Sequence, residues 1–233
     1  MQRSQAALAQ AQKLAHPYSL AAAQHWATSL HYRRREALAV HVQAEALLAL
    51  ATAQQFPVWV GHGTCWHGWV RAMQSEDAAS LTDIRQGMTA VLTTGQALFW
   101  PLHVVLLAET AGHVGQVEEG LRLLAEALTI MEANGQGDML AEAYRLYGAL
   151  LLRQSVPDAL QAEAYFQQAL AIARRQQAKS WELRAAVSLA RQWQQQGQRA
   201  EAYDLLTPIY GWFTEGFDTA DLQEAKALLK ELA

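Results

Sequence analysis

The sequence contains a single cysteine, Cys65, so the chain cannot form an internal disulfide. A lone thiol favours a reducing compartment. Proline is scarce, with 5 in 233 residues, and no apolar run approaches the roughly 18 residues that a membrane-spanning helix needs. The opening stretch lacks the charged, apolar and small-residue order of a signal peptide. We therefore expect a cytoplasmic protein without a membrane segment.

Neither sign of charge dominates the chain, because 18 Lys and Arg oppose 22 Asp and Glu for a formal net charge of −4. Proteins that hold nucleic acid or anionic lipid usually carry a basic excess, so we expect no nucleic-acid partner. β-branched residues are sparse, whereas the helix-favouring residues Ala, Leu and Gln dominate. No segment shows the alternation of a half-buried strand. The composition predicts an all-α protein.

The sequence also lacks the motifs that carry common enzyme chemistry. A phosphate-binding loop needs glycines followed by Lys and Ser or Thr at fixed offsets, and no GxxxxGK[ST] occurs. The metalloprotease motif HExxH and the nucleophile elbow GxSxG are absent as well. We expect no catalytic residues, no bound metal and no cofactor.

Small and apolar residues do recur in step along the chain, every 40 to 42 residues. The first column holds the small residues Gly68, Ala108, Gly148 and Ala190. The second column holds the large apolar residues Ile84, Leu124, Phe166 and Leu206. The third column, three residues later, holds Gly87, Ala127, Ala169 and Ile209. Two helices approach closely only where one presents a small residue to an apolar residue of the other, so the columns predict a stack of antiparallel helix hairpins.

This pattern resembles the tetratricopeptide repeat, whose signature is matched closely by Ala190, Trp193, Gly197, Ala202 and Leu206, and also by Ala108, Gly115, Leu124 and Ala127. The interval is longer than the usual 34 residues of that family, and Ile209 stands where alanine is expected. The resemblance implies an α-solenoid of hairpins in a right-handed superhelix. It predicts one solenoid over residues 1–233, divided as half repeat 1–16, repeats 17–55, 56–96, 97–136, 137–178 and 179–216, and C-terminal capping helix 217–233.

A narrower resemblance rests on the phrases AEALLALATAQQFPVW, EEGLRLLAEAL and WFTEGFDTADLQEAKALL. They are similar to the C-terminal repeat region of large bacterial signalling proteins, in which a cyclase or regulatory domain precedes a STAND-type ATPase. This resemblance implies a sensor or scaffold segment that works beside such an ATPase or adenylate cyclase.

The stretch GHGTCWHGWV, from Gly61 to Val70, concentrates histidine, cysteine and tryptophan on one predicted first helix. Tetrahedral zinc needs four converging ligands, which one helix cannot supply. A nucleophilic Cys65 would need a base and an oxyanion site. We therefore interpret the stretch as repeat packing on one face and groove lining on the other.

In tetratricopeptide repeats, fixed positions of each first helix line a concave groove. Carried over to this chain, those positions are His25, Ser29, Tyr32, His62, Cys65, Trp69, Leu102, Val105, Glu109, Glu142, Arg145, Arg184, Val187 and Arg191. Two alternatives stay open: Glu142 and Arg145 can pair with each other, and Trp69 can be a packing residue.

Two functions compete. The first is a non-catalytic interaction module that binds a protein or peptide partner in the groove. The alternative is a small-molecule sensor whose effector shifts an attached ATPase between states. A third reading is a purely structural remnant of a larger gene.

Overall fold

The structure is a computed structural model that describes residues 2–75, 77–135 and 137–233, and within them it is entirely helical apart from turns and loops. The chain divides into two compact units, Met1–Gly115 and Gln116–Ala233. The first unit contains the helices α1 Gln2–Lys13, α2 Pro17–Arg33, α3 Ala37–Ala53, α4 Pro57–Ser75, α5 Ala79–Thr93 and α6 Trp100–His113. The second contains α7 Val117–Asn134, α8 Leu140–Leu151, α9 Ala159–Arg175, α10 Lys179–Gln195, α11 Arg199–Gly211 and α12 Ala220–Leu232. The predicted all-α class and the C-terminal helix are confirmed.

A three-residue turn joins many consecutive helices, and its middle residue has a left-handed backbone. Glycine fills that place at Gly197, with φ of 84°. Arg35, Gln55 and Gln177 adopt the same region with φ of 59°, 54° and 54°. Such a residue ends a helix sharply and lets the chain fold back on itself, which explains the short connections between neighbouring helices.

Helices α4 and α5 approach each other through the predicted small-residue column. A Cβ placed on Gly68 would lie 2.7 Å from Ile84 Cγ1 and 2.9 Å from the Ser80 carbonyl oxygen. Towards the start of α4, a Cβ on Gly61 would lie 2.8 Å from the Gly87 carbonyl oxygen. Residue numbers rise along one helix as they fall along the other, so the pair is antiparallel.

The second unit repeats this contact between α8 and α9. A Cβ on Gly148 would lie 2.8 Å from Phe166 Cε1 and 2.9 Å from the Ala162 carbonyl oxygen. Further along α9, Ala169 is fully buried. The remaining column residues are also buried, namely Ala108, Leu124, Ala127, Ala190, Leu206 and Ile209.

Each predicted repeat from 17 to 216 holds two of the observed helices, while α1 and α12 fall in the terminal segments. The division into compact units lies between α6 and α7, inside the predicted repeat 97–136. The predicted boundary after Gln136 falls outside the described residues. Within each unit, alternate helices also touch: α4 contacts α2 and α6, and α10 contacts α8 and α12. No helix of the described residues is long and apolar enough to span a bilayer.

The close contact at Gly148 predicts an unusual response to alanine. Alanine normally favours a helix over glycine by about 1 kcal/mol, but Gly148→Ala drives a methyl group into the Ala162 backbone and should lower the free energy of unfolding by about 1–3 kcal/mol. Urea unfolding measures the change. Gly211→Ala is the matched control, since nothing lies within 4 Å of its added Cβ. A stabilising Gly148→Ala would contradict the described packing.

Candidate functional site

Three histidines from three helices of the first unit meet in its core. His25 lies on α2, His62 on α4 and His103 on α6, and all three are buried, at 0%, 0% and 1% exposure. The ring centroids of His25 and His62 are 4.3 Å apart, and those of His62 and His103 are 4.9 Å apart. His62 Nδ1 and His103 Nε2 share a hydrogen bond of 3.1 Å. The three side chains therefore form one continuous cluster across α2, α4 and α6.

Aromatic rings surround this histidine cluster. Trp59 lies 5.6 Å from His25 and 5.4 Å from His62, measured between ring centroids. Phe99 lies 4.6 Å and 5.0 Å from the same two rings. Trp66 donates its indole N–H to His25 Nδ1 at 3.3 Å. The imidazoles thus sit in apolar surroundings that offer little stabilisation to a positive charge.

The pKa values of the three imidazoles follow from that environment. Burial, followed by the charge of His103, lowers the pKa of His25 to about 3. Burial lowers the pKa of His103 to about 4. Burial, followed by the charges of His25 and His103, also lowers the pKa of His62. All three rings are neutral near pH 7.

A second row of predicted groove residues lies further along the same helices. Tyr32 donates its hydroxyl to Glu109 Oε2 at 2.9 Å, and Trp69 donates its indole N–H to the same oxygen at 3.0 Å. The rings of Tyr32 and Trp69 meet edge to face at 5.3 Å. These three residues were predicted to line a groove, and the structure brings them together as contacts between the alternate helices α2, α4 and α6.

The predicted place of Cys65 in the groove lining is wrong. Its thiol is fully buried and lies against α5, where Sγ donates to the Ile84 carbonyl oxygen at 3.5 Å. A Cβ on Gly87 would lie 2.7 Å from that Sγ. Burial raises the pKa of the Cys65 thiol, so the reactive thiolate is suppressed. Cys65 is a packing residue of the α4–α5 interface and does not face a groove.

The predicted groove residues of the second unit form a chain of charges. Glu142 on α8 accepts from Arg145 at 2.9 Å and 2.8 Å, which is the pairing that the sequence left open. Arg184 on α10 bridges Glu142 Oε1 at 3.2 Å and Asp221 Oδ2, on α12, at 2.9 Å. Burial alone would raise the pKa of Glu142, but the charges of Arg145 and Arg184 outweigh burial and lower it. This charge ladder, which consists of Arg145, Glu142, Arg184 and Asp221, connects α8, α10 and α12.

The other predicted site residues lie as follows. Four are buried in the helix packing, namely Ser29, Leu102, Val105 and Val187. Arg191 is half exposed and pairs with Glu224 at 2.9 Å. Most of the predicted groove positions therefore contact protein rather than solvent.

Comparison with other proteins adds no family assignment. No protein-family model matches the chain. No curated protein matches its sequence either.

Among the described residues, no group of three or more His, Cys, Asp or Glu side chains is placed to hold a metal ion. The histidine cluster does not qualify, because its rings contact and hydrogen-bond one another and a tryptophan. With neutral, buried imidazoles and a buried thiol, the first unit keeps these polar side chains in an apolar core.

Sequence reasoning missed His103, Trp59, Phe99 and Asp221. One signal was available for His103, which follows His62 by 41 residues, close to the repeat interval. The inferred register had instead selected Leu102, one residue earlier. Asp221 had no such signal, because its contact with Arg184 depends on how α12 docks.

The histidine cluster predicts that acid destabilises the first unit. An unfolded histidine binds a proton near pH 6.5, whereas folded His103 and His25 do so only near pH 4 and pH 3. The stabilisation from keeping the rings neutral is therefore complete above about pH 6.5 and is lost as the pH falls towards about 3. Each ring contributes at most about 1.4 kcal/mol per pH unit over that interval.

Urea unfolding at several pH values between about 4 and 7.5 tests this dependence. The slope of unfolding free energy against pH should decrease by about 1 kcal/mol per pH unit in His62→Leu. His67→Leu is the control on the same helix, since the His67 side chain is 38% exposed. Equal slopes for the wild type and His62→Leu would show that the His62 ring is not held neutral.

The charge ladder of the second unit predicts that Arg184 and Arg191 contribute very differently to the free energy of unfolding. Arg184→Ala removes one arginine from each of the buried carboxylates of Glu142 and Asp221, so it should cost up to about 3–5 kcal/mol of unfolding free energy. Arg191→Ala removes an arginine that is 50% exposed, and it should cost less than about 1 kcal/mol. Chemical denaturation of both variants checks the difference, and similar losses would contradict the ladder.

Proposed function

We propose that the chain is a non-catalytic protein-interaction module whose partner places an amphipathic helix on the outer face of α3. The observation that carries this proposal is an exposed apolar surface at the start of α3. Leu38 is 76% exposed and Val42, one helical turn later, is 55% exposed. They line an open depression of about 570 Å³ together with Glu36, Ala37, Ala39 and Gln43.

The first two turns of α3 are apolar both towards the core and towards solvent. Val40, Ala44 and Leu47 face the core and are at most 1% exposed, while Leu38 and Val42 face solvent. A helix that is hydrophobic all round is normally covered all round. Exposed apolar surface of this kind marks interaction sites on otherwise polar exteriors.

The chemistry of the depression favours a helical partner with apolar anchors. Glu36 is engaged by His31 at 2.6 Å and by Arg34 at 2.7 Å, which leaves little charge to recruit a basic segment. The backbone groups of α3 are used within the helix, so it presents no strand edge for an extended peptide. Anchors one turn apart suit a second helix, which presents residues at the same spacing.

The predicted groove is a weaker choice for the docking surface. Its residues are mostly buried and bonded to one another across α2, α4 and α6, or across α8, α10 and α12. The resemblance to repeat regions of STAND-type signalling proteins supports a partner within an ATPase or cyclase assembly. In such an assembly the chain acts as a scaffold.

Site-specific photocrosslinking tests the proposal. A crosslinking amino acid at position 42 identifies proteins captured from a lysate of the source cells, and each captured protein is then purified. Its affinity for the wild-type chain is compared with that for Leu38→Glu and Val42→Glu by calorimetry. Each substitution should weaken binding by about tenfold or more, because it places a charge in an apolar contact.

The matched control uses α5, where Thr82 and Gln86 are also exposed and one turn apart. Thr82→Glu and Gln86→Glu should leave the affinity unchanged. A partner whose affinity is insensitive to the α3 substitutions, or equally sensitive to the α5 ones, would overturn the assignment of this face.

A further inference from the structure

Three polar atoms of the histidine cluster and its surroundings lack a hydrogen-bond partner among the described residues. They are His25 Nε2, His62 Nε2 and Trp59 Nε1, and all three are buried from solvent. Their rings lie within 5.6 Å of one another. A buried polar group that is left unpaired is destabilising, so three of them on neighbouring rings indicate a missing polar occupant.

The hydrogen-bonding role of two of these atoms is fixed. An indole nitrogen only donates, so His25 Nδ1, which receives the Trp66 N–H, is the unprotonated nitrogen of its ring. The proton of neutral His25 is therefore on Nε2, and that atom is a donor. Trp59 Nε1 is a donor for the same reason. Both require an acceptor, which an oxygen with two lone pairs provides.

The role of His62 Nε2 follows from its bond with His103. If His62 Nδ1 donates to His103 Nε2, His62 Nε2 is an acceptor; in the reverse arrangement it is a donor. A hydroxyl group satisfies the first case fully, because its oxygen accepts two hydrogen bonds and its O–H donates one. A carbonyl oxygen cannot donate and leaves His62 Nε2 unpaired.

A metal ion does not fit the same three atoms. A ligating histidine nitrogen must present a free lone pair, and the bond from Trp66 places a proton on His25 Nε2 instead. An anion does not fit either, since the imidazoles are neutral and the surroundings are apolar. The occupant is an uncharged group.

An aromatic side chain, that of Phe99, packs against the histidine cluster. Phe99 lies over His25 and His62 and belongs to the segment before α6 rather than to a helix. Its other neighbour is Trp26, at 5.1 Å between ring centroids, and Trp26 is 56% exposed. Beside it, Leu98 is 71% exposed. Phe99, itself partly exposed, thus connects the two buried imidazoles with the surface at Trp26.

We propose that the first unit binds a small uncharged aromatic alcohol at the position now covered by Phe99. Its hydroxyl accepts from His25 Nε2 and Trp59 Nε1 and bonds to His62 Nε2, while its ring replaces the contacts of Phe99 with the imidazoles. This site is independent of the α3 docking face, and it gives the unit a ligand-bound state with a displaced Phe99.

Phenol and toluene are the matched probes, since they share a ring and differ in the hydroxyl. Titration of the wild-type protein, followed by calorimetry and by the indole N–H resonance of Trp59, should show saturable phenol binding that is about tenfold tighter than toluene binding. The Trp59 resonance should shift with phenol and stay in place with toluene. Phe99→Ala should tighten phenol binding, whereas Leu98→Ala should not.

Substitutions that remove the polar atoms distinguish hydrogen bonding to the hydroxyl of phenol from simple filling of the space by its ring. Trp59→Phe removes the indole N–H while keeping an aromatic ring, and His62→Leu removes the ring nitrogens; each should reduce the preference for phenol over toluene to about twofold or less. His67→Leu should keep the preference intact. Equal binding of both probes would overturn the proposal, as would a preference that survives both substitutions. Failure of phenol to bind either the wild type or Phe99→Ala would leave a single water as the occupant and would overturn it as well.

Discussion

The close approach of paired helices is the constraint on which each unit depends. Between α4 and α5 the backbones lie so near that a Cβ on Gly87 would meet the Gly61 carbonyl oxygen at 2.6 Å. Contacts of this kind bury main chain against main chain and gain dense packing without large side chains. They also fix the rotation of α4 about its axis, because only the glycine-bearing face can lie against α5. The face that carries His62 and Trp69 is then directed towards α2 and α6.

That fixed rotation explains why polar side chains lie where a recognition groove was expected. In the first unit, neutral imidazoles and a tyrosine–tryptophan–glutamate contact connect α2, α4 and α6. In the second unit, formal charges do the same for α8, α10 and α12. Buried polar contacts add little net stability but penalise misaligned neighbours, since a shifted helix leaves groups unpaired. We infer that these rows of polar contacts select the register between alternate helices.

The sequence was sufficient for the helical class and for the paired columns, because helix contacts between neighbours in sequence depend on local spacing and residue size. Gly68 with Ile84 and Gly148 with Phe166 were identified on that basis. The candidate site was harder to predict. Groove positions inherited from a related repeat specify which face of a helix points inward, but they do not specify how closely the next helix covers it. A register error of one residue separated Leu102 from His103. Cys65 was assigned to the groove face, although it lies four residues after Gly61 and three before Gly68, on the side of α4 that packs against α5.

The glycines of α4 have a further consequence for the order in which the chain folds. Gly61, Gly63 and Gly68 lie within one helix, and each lowers its intrinsic stability by about 1 kcal/mol relative to alanine. An isolated segment of this composition is mostly unstructured in water. Docking against α3 and α5 is then a condition for α4 to be helical at all. Secondary and tertiary structure of this part of the chain therefore form in one cooperative step. A substitution that destabilises α5 would first reduce the helix content of α4.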